Sequence, residues 1–60
     1  MVSITITADE AEETFPQVVR YRETEGFFLM EQIVKGKRRN QIVMIPKRFI
    51  NYIVIDENRG

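Results

Sequence analysis

The sequence contains no cysteine, no histidine and no tryptophan. The lack of cysteine and histidine excludes disulfide bonds and zinc sites built from those residues. It also excludes the Ser–His and Cys–His pairs on which many hydrolases depend. No apolar run approaches the roughly 18 residues that cross a bilayer as a helix. We therefore predict a non-enzymatic cytoplasmic protein that has no cofactor and does not bind a membrane.

Other functional signals are also missing. The three glycines are isolated from one another, so there is no glycine-rich phosphate loop. The N-terminus has no basic region followed by an apolar stretch, so we expect no signal peptide. The carboxylates of residues 9–13 match no EF-hand spacing and have no apolar surroundings that would separate their pKa values. We interpret them as solvated surface and predict no catalytic and no metal site.

The chain is small enough that its stability is a concern. Its 60 residues make a single domain, residues 1–60, and 43% of them are apolar, which is typical of a folded protein. A domain of this size buries only about 60% of its unfolded surface. Small domains add disulfides, a metal or a second subunit to compensate. With the first two excluded, we expect a homodimer or a larger assembly.

The apolar pattern predicts five short strands and one short helix. Residues 2–7 alternate strictly between β-branched apolar residues and hydroxyl residues, which is typical of a half-buried strand. Thr7 and Glu10 then form a capping-box pattern that predicts a helix over residues 8–14, ended by Pro16. Four further strands are predicted over residues 17–23, 27–35, 41–45 and 51–56. The segment from Pro46 to Tyr52 is either a 3₁₀ turn or a short helix.

These elements predict a mainly β fold: a five-stranded, strongly bent antiparallel sheet or a small barrel, with one short helix after the first strand. Two adjacent polar residues, Glu31 and Gln32, indicate a bulge or a change of buried face in the third strand. The last three strands are apolar on both faces, which one short helix cannot cover. This is a second reason to expect self-association.

Charge is distributed unevenly along the chain. Residues 1–31 carry seven acidic and two basic side chains, a net charge of −5, and residues 32–60 carry the reverse, +5. Four cations crowd into a predicted turn, residues 35–40, where they repel one another unless an anion is near. Two more cations follow Pro46, and Tyr52 or Phe49 offers a stacking surface for a base. The candidate nucleic-acid-binding residues are Lys35, Lys37, Arg38, Arg39, Lys47, Arg48 and Tyr52.

Two local resemblances concern the C-terminal part of the chain. Residues 42–46, followed by Lys47–Asn51 and residues 52–55, resemble the strand, Pro-led 3₁₀ turn and strand that close small barrels of the Src-homology type. This resemblance implies barrel topology and no proline-rich ligand, since that family's acidic and aromatic groove motifs are missing. Residues 41–57, and Ile45-Pro46-Lys47 in particular, are similar to the strand-turn segment of swapped-hairpin transcription regulators and antitoxins. That resemblance implies a DNA-binding dimer, although in that family two further strands follow the segment.

Two function hypotheses follow. In the first, the protein is a small nucleic-acid-binding or transcription-regulatory protein whose basic turn contacts the phosphates of DNA or RNA. In the second, it is a protein-interaction module, either an inhibitor or a small subunit of an assembly. Such a module would bind its protein partner through its apolar sheet face or its acidic helix. An ordinary solvated hairpin turn, whose cations keep a sheet edge from pairing, also accounts for the basic residues.

Overall fold

A computed structural model describes residues 1–57, which form one five-stranded antiparallel sheet. Its elements are β1 (Val2–Ala8), β2 (Ala11–Glu23), β3 (Phe27–Gln32), β4 (Gln41–Pro46), a 3₁₀ helix (Lys47–Phe49) and β5 (Tyr52–Glu57). The strand order is β4-β3-β2-β1-β5, so β4 and β5 are the two edges and do not pair with each other. The predicted mainly β, five-stranded antiparallel fold is confirmed, and of its two forms the open sheet is found rather than a closed barrel.

The predicted helix over residues 8–14 is wrong. Asp9 and Glu10 form a tight turn, and β2 begins at Ala11, opposite Ala8 of β1. Asp9 adopts a φ of 50°, a left-handed conformation that Asp tolerates better than most residues. Its backbone N–H donates to the side-chain oxygen of Asn51, which ties the turn to the start of β5. A helix of two turns has little stability of its own, so pairing with β1 overrides the capping pattern.

Strand β2 spans both halves of the sheet. Its first part pairs with β1 and its second part with β3, with Val18 paired to both Val2 and Gln32. The register shifts on both sides of this point, and Gln17 has a φ of 55°. Pro16 lies in the first part, where β3 does not pair with β2, so its missing N–H costs no ladder bond on that side. The bulge predicted in β3 therefore lies in β2.

The core lies on one face of this sheet. Five side chains are buried together: Ile4, Ile6, Val18, Phe28 and Met30. Partly buried apolar residues pack against them from β4, β5 and the connection between those strands, among them Val43, Ile45, Ile50 and Ile53. The alternation of β1 places Ile4 and Ile6 inward and Thr5 and Thr7 outward, as a half-buried strand requires.

The segment after Pro46 is a single turn of 3₁₀ helix. Pro46 has a φ of −60°, and the N–H of Ile50 donates to the carbonyl of Lys47 at 3.0 Å, which closes the turn before β5 starts. The strand, Pro-led turn and strand implied by the first resemblance are present, whereas a closed barrel is not. Nowhere in residues 1–57 is there a helix of the length and apolarity needed to cross a membrane.

Candidate functional site

The connection between β3 and β4, residues 33–40, carries four of the predicted cations and is called the basic loop below. Gln32 and Gln41 pair across its base, at the last position of β3 and the first of β4. The buried side chain of Gln32 donates to the carbonyl of Pro16 at 3.0 Å and accepts from the amide of Gln41 at 3.0 Å. Both ends of its amide are therefore satisfied, which is the condition for burying a polar group at little cost.

A second set of contacts, on the outer face of the sheet, holds the ends of the basic loop where they join β3 and β4. One carboxylate oxygen of Glu31 lies 3.1 Å from Nε of Arg20, and the other accepts from the side-chain amide of Asn40 at 2.7 Å. The N–H of Ile33 donates to the carbonyl of Gln17 at 3.0 Å. The loop is thus fastened to β2 and β3 where it leaves the sheet and where it returns.

Within the loop, the chain reverses through a turn at Gly36. The N–H of Lys37 donates to the carbonyl of Val34 at 3.1 Å, and Gly36 has a φ of +86°. This conformation is open to glycine but strained for residues with a Cβ atom. The local glycine therefore gives the loop a defined shape between its anchored ends.

The cations of the loop are exposed and lack carboxylate partners. Within residues 1–57 the ion pairs are those of Arg20 with Glu31 and of Lys47 with Glu23. Neither involves a loop cation, so four positive charges remain unpaired: Lys35, Lys37, Arg38 and Arg39. Like charges this close raise the local potential, and a bound anion lowers it again. The arrangement favours a ligand that carries several phosphates or other anions.

The three remaining candidates lie elsewhere. Lys47 is engaged with the carboxylate of Glu23 at 3.1 Å and the carbonyl of Thr24 at 3.2 Å, and Arg48 lies over the ring of Phe49 at 4.9 Å. Both follow the far end of β4, about 17 Å from its first residue at roughly 3.4 Å per step. Tyr52 is on β5, at the other edge of the sheet. The structure brings the four loop cations together and does not add Lys47, Arg48 or Tyr52 to them.

Sequence reasoning did not identify the residues that support the loop. The sequence predicts a bulge or a change of buried face at Glu31 and Gln32, whereas β3 keeps a regular alternation through both residues. The two side chains instead fasten the loop from opposite faces of β3. The available signal was the same polar pair: two adjacent polar residues at the end of an apolar strand, next to a cationic turn. The partners, Arg20 and Pro16, are too distant along the chain for that signal to indicate them.

The described residues 1–57 hold no cluster of three or more acidic side chains arranged to bind a metal. The lysine and arginine side chains of the basic loop can make ionic and hydrogen-bonding contacts to an anion. Comparison of the chain with protein-family models, with curated proteins and with solved structures gives no match.

Proposed function

We propose that this protein is a small, non-enzymatic nucleic-acid-binding or regulatory protein whose basic loop contacts the phosphates of DNA or RNA. The observation that supports this most is the set of four exposed cations that have no carboxylate partner within residues 1–57, on a loop whose ends are anchored. The cytoplasm is the compartment in which we expect this function, and it requires no metal and no cofactor.

The contacts that anchor the two ends of the basic loop favour tight binding. A loop that is already ordered loses less conformational entropy when it binds, so more of the gross interaction energy appears as affinity. Arg38 and Arg39 each present a planar fork of donors that matches two phosphate oxygens, while Lys35 and Lys37 act as point charges. Contacts of this kind position a protein on a nucleic acid without reading its sequence.

Salt dependence gives the proposal a quantitative form. Each phosphate neutralised on duplex DNA contributes about −0.9 to the slope of log K against log salt. The four cations of one loop therefore contribute no more than about −3.6 to this slope for each copy that binds. A contribution near this limit means that all four engage phosphates, and a slope near zero would exclude ionic contact.

The first test replaces two loop cations, Arg38→Gln with Arg39→Gln, and compares them with Arg22→Gln plus Arg48→Gln. Both double variants lose two positive charges from exposed arginines, but only the first pair is in the loop. Binding is measured by fluorescence polarisation on duplex DNA, single-stranded DNA and RNA between low and moderate salt. We expect the loop variant to bind all sequences more weakly. The magnitude of its salt slope should fall by about 2 for each bound copy, since each lost phosphate contact removes about 1.

The control double variant should retain the slope of the native protein. If it loses as much as the loop variant, net charge rather than the loop determines binding. If the native chain binds none of the three nucleic acids at low salt, the proposed function is wrong.

A second candidate, the protein-interaction module, is favoured by the apolar residues on the outer face of the edge strands. Ile42 and Met44 on β4 are 63% and 59% exposed, and Tyr52 and Val54 on β5 are 58% and 50% exposed. The acidic helix that was its other basis is absent, because those residues form the β1–β2 hairpin. Under this candidate, association survives the loop substitutions and is lost when apolar outer residues are replaced.

A further inference from the structure

Both edges of the sheet are open to pairing with another chain. Strands β4 and β5 each have one neighbour within residues 1–57, so alternate N–H and C=O groups along each edge point away from the sheet. Natural sheets block such edges with a central lysine, a proline or a bulge. Here β4 holds no charged residue and has its proline at the end, and β5 has its charges only at Asp56 and Glu57. Neither edge is protected along its middle.

Charge distinguishes the ways in which two copies can pair. Antiparallel pairing of β4 with β4 brings the basic loop, which precedes β4, against Lys47 and Arg48, which follow it. Antiparallel pairing of β5 with β5 brings Asp56 and Glu57 against the acidic β1–β2 turn, which is bonded to Asn51 at the start of β5. Both arrangements place like charges together, which costs free energy and disfavours the contact.

Parallel pairing of β4 with β5 has the opposite effect. All four pairings within the sheet are antiparallel, so β4 and β5 run in the same direction. A second copy whose inner face lies on the same side therefore brings its β4 parallel to β5. The basic loop before β4 then lies beside the acidic β1–β2 turn at the start of β5.

At the other end of the same contact, Lys47 and Arg48 follow β4 and lie beside Asp56 and Glu57. With Met44 beside Val54 on the outer face, Val43 lies beside Ile53 on the inner face. Apolar residues meet apolar residues on both faces, and cations meet anions at both ends.

We propose that copies of this protein associate head to tail, with β4 of one copy pairing parallel with β5 of the next. Such a contact uses a different edge on each side, so two copies leave one β4 and one β5 unpaired. Repetition then gives either a closed ring of three or more copies or an open filament. The inference goes beyond the proposed function, because it holds whether or not the basic loop binds nucleic acid.

The test uses two single variants, Met44→Lys on β4 and Val54→Lys on β5, each of which blocks one edge with a central charge. We expect light scattering to give a mass of at least three times 7.1 kDa for the native chain and 7.1 kDa for each variant alone. When the two variants are mixed, the intact β5 of one meets the intact β4 of the other, and the mass doubles. Val19→Lys, an exposed valine away from both edges, is the matched control and should assemble like the native chain.

The outcomes separate the pairing modes. If Val54→Lys alone remains a dimer, β4 pairs with β4, and if Met44→Lys alone remains a dimer, β5 pairs with β5; either result overturns the proposal. A native chain that stays at 7.1 kDa at micromolar concentration overturns it as well.

A second measurement does not depend on how well the lysine variants fold. Since the chain has no cysteine, Met44→Cys and Val54→Cys can be mixed in a glutathione buffer without background thiols. We expect the mixture to form disulfide-linked dimers in several-fold higher yield than either variant alone, or than Met44→Cys mixed with Val19→Cys. Equal yields in all four samples would reject the pairing.

Discussion

Two adjacent valines in β2 differ in what they contribute to stability. Val18 is 1% exposed and packs with Ile4 and Met30, whereas Val19 is 39% exposed. We expect Val18→Ala to lower the free energy of unfolding by about 2 kcal/mol, because two buried methyl groups are lost at about 0.8 kcal/mol each and a cavity remains.

The matched control is Val19→Ala, the same chemical change one position along the strand. It should change the free energy of unfolding by no more than about 0.5 kcal/mol. Urea denaturation followed by circular dichroism measures both. Equal losses for the two variants would mean that the inner face of β2 is assigned wrongly.

Gln32 illustrates how a single side chain acquires a role from its surroundings. It is a polar residue in the core, and both ends of its amide are paired, one with the Pro16 carbonyl and one with Gln41. From the sequence alone, its position beside Glu31 indicated an irregular strand. The contacts that explain its burial come from β2 and β4, and no local pattern specifies them.

The β1–β2 hairpin shows why a local signal failed at the level of the element. The capping-box pattern at Thr7 and Glu10 is a real preference of about 1 kcal/mol. The competing hairpin pairs residues from Val2 to Ala8 with β2 and buries Ile4 and Ile6. Each buried side chain contributes about 1.5–3 kcal/mol, so the ladder prevails over the cap.

Strands with strict alternation or β-branched runs were predicted well, because the strand preference of their residues agrees with the way those residues pack in the sheet. Residues 2–7, 41–45 and 51–56 were predicted as strands, and β1, β4 and β5 cover them almost completely. The third strand was predicted three residues too long, because Ile33 and Val34 are apolar yet lie in the basic loop. Their apolar character does not decide whether a pairing partner is present.

The basic loop provides a test at the same scale. Gly36 has a φ of +86° and Gly26 does not adopt a left-handed conformation, while both have open space around Cα. We expect Gly36→Ala to lower the free energy of unfolding by about 1–2 kcal/mol, since an L residue in this region is strained.

Gly26→Ala is the control and should be neutral or stabilising by up to about 1 kcal/mol, because it reduces the entropy of the unfolded chain. Thermal melts resolve the difference, as each kcal/mol moves Tm by about 4–8 °C in a domain of this size. If Gly36→Ala is as stable as Gly26→Ala, the turn at Gly36 is not formed in solution.

At the scale of the whole molecule, stability and assembly are linked. Five buried apolar residues are a small core, and association of native chains adds free energy that unfolded chains lack. We expect Tm to rise with protein concentration, by the equivalent of at most about 1.4 kcal/mol per interface for each tenfold increase. Differential scanning calorimetry over a hundredfold range of concentration measures this.

The variant Met44→Lys serves as the comparison, because it blocks the β4 edge without touching the buried core. Its Tm should be lower and independent of concentration. A native protein whose Tm is equally independent of concentration would contradict assembly through the edges.

The amino-acid sequence by itself determined the mainly β class, the approximate positions of five strands, the absence of Cys–His chemistry and the clustering of four cations between β3 and β4. These properties depend on residue types and on periodicity over a few neighbours, which are local quantities. Only the tertiary structure decided that residues 8–14 complete a hairpin and that Lys47, Arg48 and Tyr52 lie apart from the loop. It also decided that Glu31 and Gln32 anchor that loop. Each of these depends on which strand lies beside which, and pairing between distant segments is set by the packing of the whole sheet.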